Sequence, residues 1–98
     1  MQFVVIARDA PGALGRRKEL RGEHVAGVKR MRTDGSLLYG LALLDGQGEM
    51  CGSVMVFELE DRAALDRWLE REPYRTGGVW ADVEVHECRV GPMFLPPA

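Results

Sequence analysis

The chain has 98 residues, 46% of them hydrophobic and 29% charged, which is ordinary globular composition and excludes a disordered or fibrous chain. That length supports one domain and one modest core, since a chain of this size buries only about 60–65% of its unfolded surface. Thirteen Lys and Arg against 15 Asp and Glu leave a net charge of −2, which disfavours a general nucleic-acid binder, and no apolar run approaches the roughly 20 residues of a transmembrane helix.

Residues 2–7, QFVVIA, are β-branched and aromatic and predict a strand that ends at the turn residues Asp9, Ala10, Pro11 and Gly12. Residues 13–33 contain no proline and are rich in Arg, Lys, Leu, Ala and Glu, predicting a long helix stopped by Asp34 and Gly35. Gly22 and Gly27 inside it each cost about 0.5–1 kcal/mol relative to Ala and point to close packing or a local bend. Residues 36–44 and 50–59 are two further apolar runs, and the cluster Asp45-Gly46-Gln47-Gly48 between them makes a hairpin. Glu60 and Asp61 can cap a second helix built on Ala64, Leu65, Trp68 and Leu69, which must stop before Pro73. Residues 74–78 read as a loop and residues 79–90 as a last strand with Val83 and Val85 alternating against Asp82, Glu84 and His86. The tail, residues 91–98, holds three of the five prolines together with Met93, Phe94 and Leu95; it cannot be regular and is expected to lie against something.

The order β-α-β-β-α-β is that of a split βαβ, or ferredoxin-like, α+β fold: an antiparallel sheet with both helices on one face. Alternating Val4, Ile6, Val54, Val56, Val83 and Val85 leave the other face apolar, and an exposed apolar patch marks an interface. Two such sheets stacked face to face make a dimeric α+β barrel, so a homodimer is expected, with the tail crossing to the partner.

The amino-terminal residues lack a basic segment ahead of their apolar stretch, so no signal peptide is expected. Cys51 and Cys88 have no CxxC partner and read as free thiols of a reducing, cytoplasmic compartment. With two Cys and two His scattered at 24, 51, 86 and 88, the spacing of a metal site is absent and no metal is expected. There is no P-loop and no dinucleotide fingerprint, so no nucleotide cofactor is expected either.

The candidate chemistry lies on the first helix. At 100° per residue Arg17, Arg21, His24, Val28 and Met31 fall within about 80°, so two guanidiniums and an imidazole share the stripe that packs on the sheet. Buried cations there need a carboxylate. The stretch after the second helix offers one in Glu72, whose backbone is fixed by Pro73 and which can approach the first helix. A His–carboxylate pair suits proton transfer near neutral pH, whereas the same groups can equally form a structural ion-pair network. Ser53, beside Gly52 at the start of the third strand, can donate a hydrogen bond to a ligand or to its own backbone. Gly77 and Gly78 read as a tight turn, Trp68 and Trp80 as core and interface residues, and His86 as solvated.

The runs FVVIARDAPGALGRRKELRGEHVAGV, DGSLLYG, GSVMVFELED and EPYRTGGVWADVEV resemble the YciI-like (YCII-related) family across residues 2–90. The family pattern Arg-x-x-x-Arg-x-x-His is matched by Arg17, Arg21 and His24, its Gly-Ser by Gly52 and Ser53, and its Asp-Pro-[Phe/Tyr] followed by a glycine turn by Glu72, Pro73, Tyr74 and Gly78. The resemblance implies a ferredoxin-like fold paired into a dimeric α+β barrel. It also implies that His24 and Glu72 stand where the family has an active-site dyad, in a family whose best-described relative is a dehydrochlorinase of a chlorinated hydroxyhydroquinone. Two departures bear on substrate rather than fold: Glu72 replaces the family Asp, and Tyr39-Gly40-Leu41 replaces Ala-Gly-Pro. The expected function is a lyase or isomerase without cofactor, with His24 and Glu72 catalytic and Arg17, Arg21, Ser53 and Tyr74 binding a small anionic or phenolic substrate. The alternative is a non-catalytic, ligand-binding homodimer held by a structural ion-pair network. Neither nucleic acid nor membrane is expected as a partner.

Overall fold

A computed structural model describes residues 1–97; Ala98, at the end of the predicted tail, lies outside the described residues. Four strands, β1 (Gln2–Asp9), β2 (Leu37–Leu44), β3 (Met50–Glu58) and β4 (Trp80–Cys88), form one sheet in the order β2-β3-β1-β4 with every neighbouring pair antiparallel. The helices are α1 (Leu14–Asp34), α2 (Arg62–Leu69) and the short α3 (Pro73–Thr76), and Pro92–Phe94 makes a 3₁₀ turn. This is the ferredoxin-like α+β architecture that the element order predicts.

Period-two alternation decides which residues become core. Phe3, Val5 and Ala7 of β1 pair with Phe57, Met55 and Ser53 of β3, and all six are buried on the face that carries α1 and α2. Val83 and Val85 sit opposite Ala7 and Val5, so they join this inner face rather than the outer one. Val4, Ile6, Val54 and Val56 point the other way and are half-buried, flanked by Tyr39 at 64% and Leu41 at 45% exposure on β2. The middle of the outer face is thus apolar over three strands, with Gln2, Arg8 and Glu58 at its ends and Glu84 and His86 alternating outward on β4.

α2 is capped as predicted: the Asp61 side chain accepts a hydrogen bond from Ala64 N–H at 2.8 Å, and Leu65 is fully buried against the sheet. α1 ends at Gly35, whose φ of 85° is the left-handed conformation that glycine adopts without strain. Three local expectations are corrected. Added Cβ atoms at Gly22 would touch nothing within 4 Å and at Gly27 only the Arg30 guanidinium at 3.7 Å, so neither glycine serves close packing. Residues 73–76 are a helical turn where a loop is expected, because Pro73 supplies the first-turn φ and Glu72 caps it. The tail, expected to hold no regular structure, contains the 3₁₀ turn Pro92–Phe94, with Met93 and Phe94 78% and 80% exposed and Leu95 half-buried.

Candidate functional site

α1 contributes the site through an unusual choice: among its described residues only Arg17 is buried. The carboxylate that receives it is Asp9, not Glu72. Arg17 Nε and Nη2 donate to the two Asp9 oxygens at 2.8 and 3.1 Å, and Nη2 also donates to Ser53 Oγ at 2.8 Å. Both side chains of the pair are at most 5% exposed. Burial alone lowers the Arg17 pKa, but the hydrogen bonds and charge of Asp9 outweigh it and the net shift is upward. The guanidinium carbon also stands 4.6 Å from the centre of the Tyr74 ring, a cation–π contact. Arg17 therefore closes a corner between the end of β1, β3 and α3.

Glu72 is held by three consequences of local sequence. The residue before a proline is kept out of the α region, and Glu72 is extended at φ −66°, ψ 124°. In that conformation it is the N-cap of α3, and its Oε1 accepts from Tyr74 N–H at 3.2 Å. The approach of this segment to α1 depends on Gly77, where an added Cβ would stand 2.3 Å from Leu20 Cδ1 and 2.7 Å from the Pro73 carbonyl oxygen. With the segment so close, the same Glu72 Oε1 lies 2.5 Å from His24 Nδ1, and the carboxylate is 4% exposed. A buried carboxylate needs such partners, since leaving it unpaired costs several kcal/mol.

The imidazole is fixed on its other sides by aromatic rings. Tyr74 stacks on it with centroids 4.1 Å apart and planes 18° from parallel, and Trp80 meets it edge-on at 6.1 Å. Burial pushes the Tyr74 phenol above its ordinary pKa, with Arg17 and Arg21 pulling the other way. His24 Nε2 has no hydrogen-bond partner among the described residues.

Arg17, Arg21, His24, Ser53 and Tyr74 line one cavity of about 510 Å³ between α1 and the β2–β3 hairpin. Its floor on β2 is Gly40 and Ala42, whose small size leaves the space open. Glu72 stands behind His24 and instead lines a second cavity, of about 590 Å³, with Glu23, Arg30, Met31, Trp68 and Arg71. Among the described residues no carboxylate lines the first cavity, and Arg21 there makes neither ion pair nor hydrogen bond. Asp9 is the functional residue that sequence reading passes over. Its signal was the alternation Phe3, Val5, Ala7, Asp9, which carries it to the core face although its neighbours Ala10, Pro11 and Gly12 read as a turn.

Two of the other sequence readings also find their places. Cys51 and Cys88 are unpaired, and His86 is exposed beside Glu84 at 3.2 Å. No helix among the described residues is long and apolar enough to cross a membrane.

Known proteins match the chain by both sequence and fold. The chain is 31% identical over 91 residues to an uncharacterized protein of Haemophilus influenzae and 29% identical over 91 residues to the protein YciI of Escherichia coli O6:H1, in each case covering 87% of this chain and 93% of the relative. Among solved structures it matches 5-chloro-2-hydroxyhydroquinone dehydrochlorinase from Burkholderia phenoliruptrix AC1100, in complex with 2,5-dihydroxybenzoquinone, with a TM-score of 0.85 at 22% identity over 95% of this chain and 98% of that one. An antibiotic biosynthesis monooxygenase matches with a TM-score of 0.54 at 21% identity over 93% and 98%. At such identities the structural matches establish the fold. The family model of the YCII-related domain matches residues 1–89, and this chain belongs to that family.

Proposed function

We propose that the chain is a cofactor-independent lyase or isomerase acting on a small anionic or phenolic molecule, with His24 as general acid–base and Glu72 as the carboxylate that orients it. The observation that carries this reading is the 2.5 Å contact between His24 Nδ1 and Glu72 Oε1 at the wall of a cavity without acidic lining. An ionised Glu72 only accepts, so the proton sits on Nδ1 and Nε2 turns its lone pair to the cavity. Nε2 then takes a proton from the substrate, and the bonding electrons form a new double bond. In an elimination the leaving group departs with its own electron pair; in an isomerisation the same proton returns at another carbon. Arg21 faces the negative charge that develops, and such acid–base assistance contributes about 10²–10⁴-fold. Fold similarity to a protein named as a dehydrochlorinase supports the choice of class.

The roles expected of the remaining site residues divide. Arg21 holds the anionic group, and Tyr74 holds the imidazole plane and offers its phenol. Arg17, already engaged by Asp9 and Ser53, positions the Ser53 and Tyr74 wall rather than contacting substrate as a free cation.

The test combines turnover with a signal that reports the pair. Chlorinated hydroquinones and unsaturated lactones are screened for chloride release and absorbance change with wild-type, His24→Ala and Glu72→Gln protein. Turnover by the wild type, a fall of about 10²–10⁴-fold in His24→Ala with an unchanged circular dichroism spectrum, and a downfield imidazole N–H proton resonance lost in Glu72→Gln support the proposal. A fully active His24→Ala, or a resonance indifferent to Glu72, overturns it.

A second reading, a ligand-binding protein without turnover, is favoured by the Arg17–Asp9–Ser53 network, which has the buried, two-pronged bonding of a structural ion pair. It expects His24→Ala to lower the melting temperature and to abolish no reaction. Both readings include a homodimer formed by stacking the outer sheet faces, supported by the apolar surface of Val4, Ile6, Tyr39, Leu41, Val54 and Val56 and by the exposed Met93 and Phe94. Sedimentation of the wild type as a dimer, and of Val54→Asp as a monomer, is the expected outcome; a wild-type monomer at micromolar concentration excludes it.

A further inference from the structure

The cavity extends along α1 beyond the acid–base pair. Arg21, Val25, Val28 and Arg32 all line it, and at 100° per residue they fall within about 60° of one another. Eleven residues at 1.5 Å each set the two arginines about 16 Å apart along the helix axis. Between them the wall is apolar: Val25 and Val28 on α1 line it together with Met55 of β3, and Gly40, paired with Met55, leaves the middle of the floor without a side chain. An added Cβ at Gly40 would meet nothing nearer than the Val54 carbonyl oxygen at 4.0 Å, so the open middle is free space and not a packing requirement.

Neither cation is neutralised. Arg21 has no partner among the described residues, and Arg32 has only a 3.3 Å hydrogen bond from Nη1 to the Leu37 carbonyl. The nearest buried carboxylates, Asp9 and Glu72, are held by Arg17 and His24. A chain of net charge −2 thus presents a trough with a cation at each end and no acid along it. Arg32 also lies in the last turn of α1, where a cation complements the helix dipole. That role needs no cavity and makes a different prediction.

We propose that this cavity selects an elongated dianion: one carboxylate or phenolate end at Arg21 beside His24, an apolar or aromatic middle over Val25, Val28 and Gly40, and a second carboxylate at Arg32. The assignment of the reacting end to Arg21 rests on the function proposed above; the two-pole selectivity does not. Subtracting a hydrogen bond of about 3 Å at each end from the 16 Å spacing leaves roughly 10 Å between the two anionic groups. A guanidinium fork matches a carboxylate bidentately, which makes Arg32 a specificity residue and not a diffuse charge.

The experiment is calorimetric titration of wild-type protein with sebacate, whose carboxylates span such a distance, against decanoate of equal chain length and the short diacid glutarate. Sebacate is expected to bind about tenfold more tightly than decanoate, with the advantage shrinking as salt is raised, and glutarate to bind no better than decanoate. In Arg32→Gln the sebacate advantage falls to within about twofold while decanoate affinity holds, Arg21→Gln weakens both acids, and Gly40→Leu blocks both by filling the middle. The proposal is overturned if the advantage survives in Arg32→Gln, if glutarate equals sebacate, or if no acid binds. A lower melting temperature in Arg32→Gln with the advantage intact gives Arg32 to the helix dipole alone. His24→Ala separates the two proposals: sebacate selectivity retained without turnover keeps both, selectivity retained with full turnover removes only the acid–base role, and turnover without selectivity in the wild type removes only the two-pole site.

Discussion

Arg17 and His24 lie two turns apart on one face of α1, and each is matched to one buried carboxylate, yet the two pairs have opposite characters. Arg17 spreads three hydrogen bonds from Nε and Nη2 over Asp9 and Ser53 and is 3% exposed, so most of it is committed to the fold. His24 is bonded through Nδ1 alone, keeps 12% of its side chain exposed, and lines an open cavity. The difference comes from what stands opposite each. Arg17 faces the end of β1, where Asp9 and Ser53 fill the corner. His24 faces β2, where Gly40 and Ala42 do not reach it. A polar stripe on a helix therefore says only that partners are needed; the residues across from it decide whether the result is a strut or a site.

The sharpest way to break this contrast is to remove one member of the closed pair. Arg17→Met leaves Asp9 buried without a counter-charge and is expected to cost about 3–5 kcal/mol, read from chemical denaturation, while Arg17→Met with Asp9→Leu recovers part of the loss. An Arg17→Met protein as stable as wild type would put the two pairs on the same footing. Gly77→Ala acts on the open pair from behind. Its Cβ collides with Leu20 and the Pro73 carbonyl, so a loss of about 1–3 kcal/mol is expected, together with disappearance of the downfield His24–Glu72 proton signal as the α3 segment is displaced. Arg21→Gln is expected to change stability by less than about 0.5 kcal/mol, since no partner is lost, which separates a binding cation from a structural one in a single melting curve.

The smallest effect concerns alkaline pH. Burial raises the Tyr74 phenol, so unfolding releases its proton more readily than the folded chain does. The stability associated with the neutral phenol is complete below the ordinary tyrosine value of about 10 and is lost as pH climbs through and above it. Tyr74→Phe should flatten that limb of the melting-temperature profile, and an unchanged limb would show that the opposing arginines dominate.

The sequence made the element order legible because QFVVIA and SVMVFEL are rich in strand formers and residues 13–33 lack proline and are rich in helix formers, with Gly35 and Pro73 as stops. It also made Glu72 legible, because proline restricts the residue before it whatever the surroundings. Asp9 was hidden by its own neighbourhood, a turn sequence that outweighs a two-residue periodicity. The α3 turn was hidden by its length, since four residues give no periodicity and Glu is not among the preferred caps. The side of the sheet taken by Val83 and Val85 needed register, which composition does not supply.

One atom described above ties the chemistry to the backbone. Glu72 Oε1 receives both the His24 imidazole and the Tyr74 amide. Whenever a proton passes on or off the imidazole, the charge that this oxygen answers to changes, and the amide shares the change. The peptide group of Tyr74 is thus a spectator wired into the site: its exchange with deuterated solvent and its amide shift record the state of the pair, in any variant and with any bound molecule, without a label and without knowledge of the substrate.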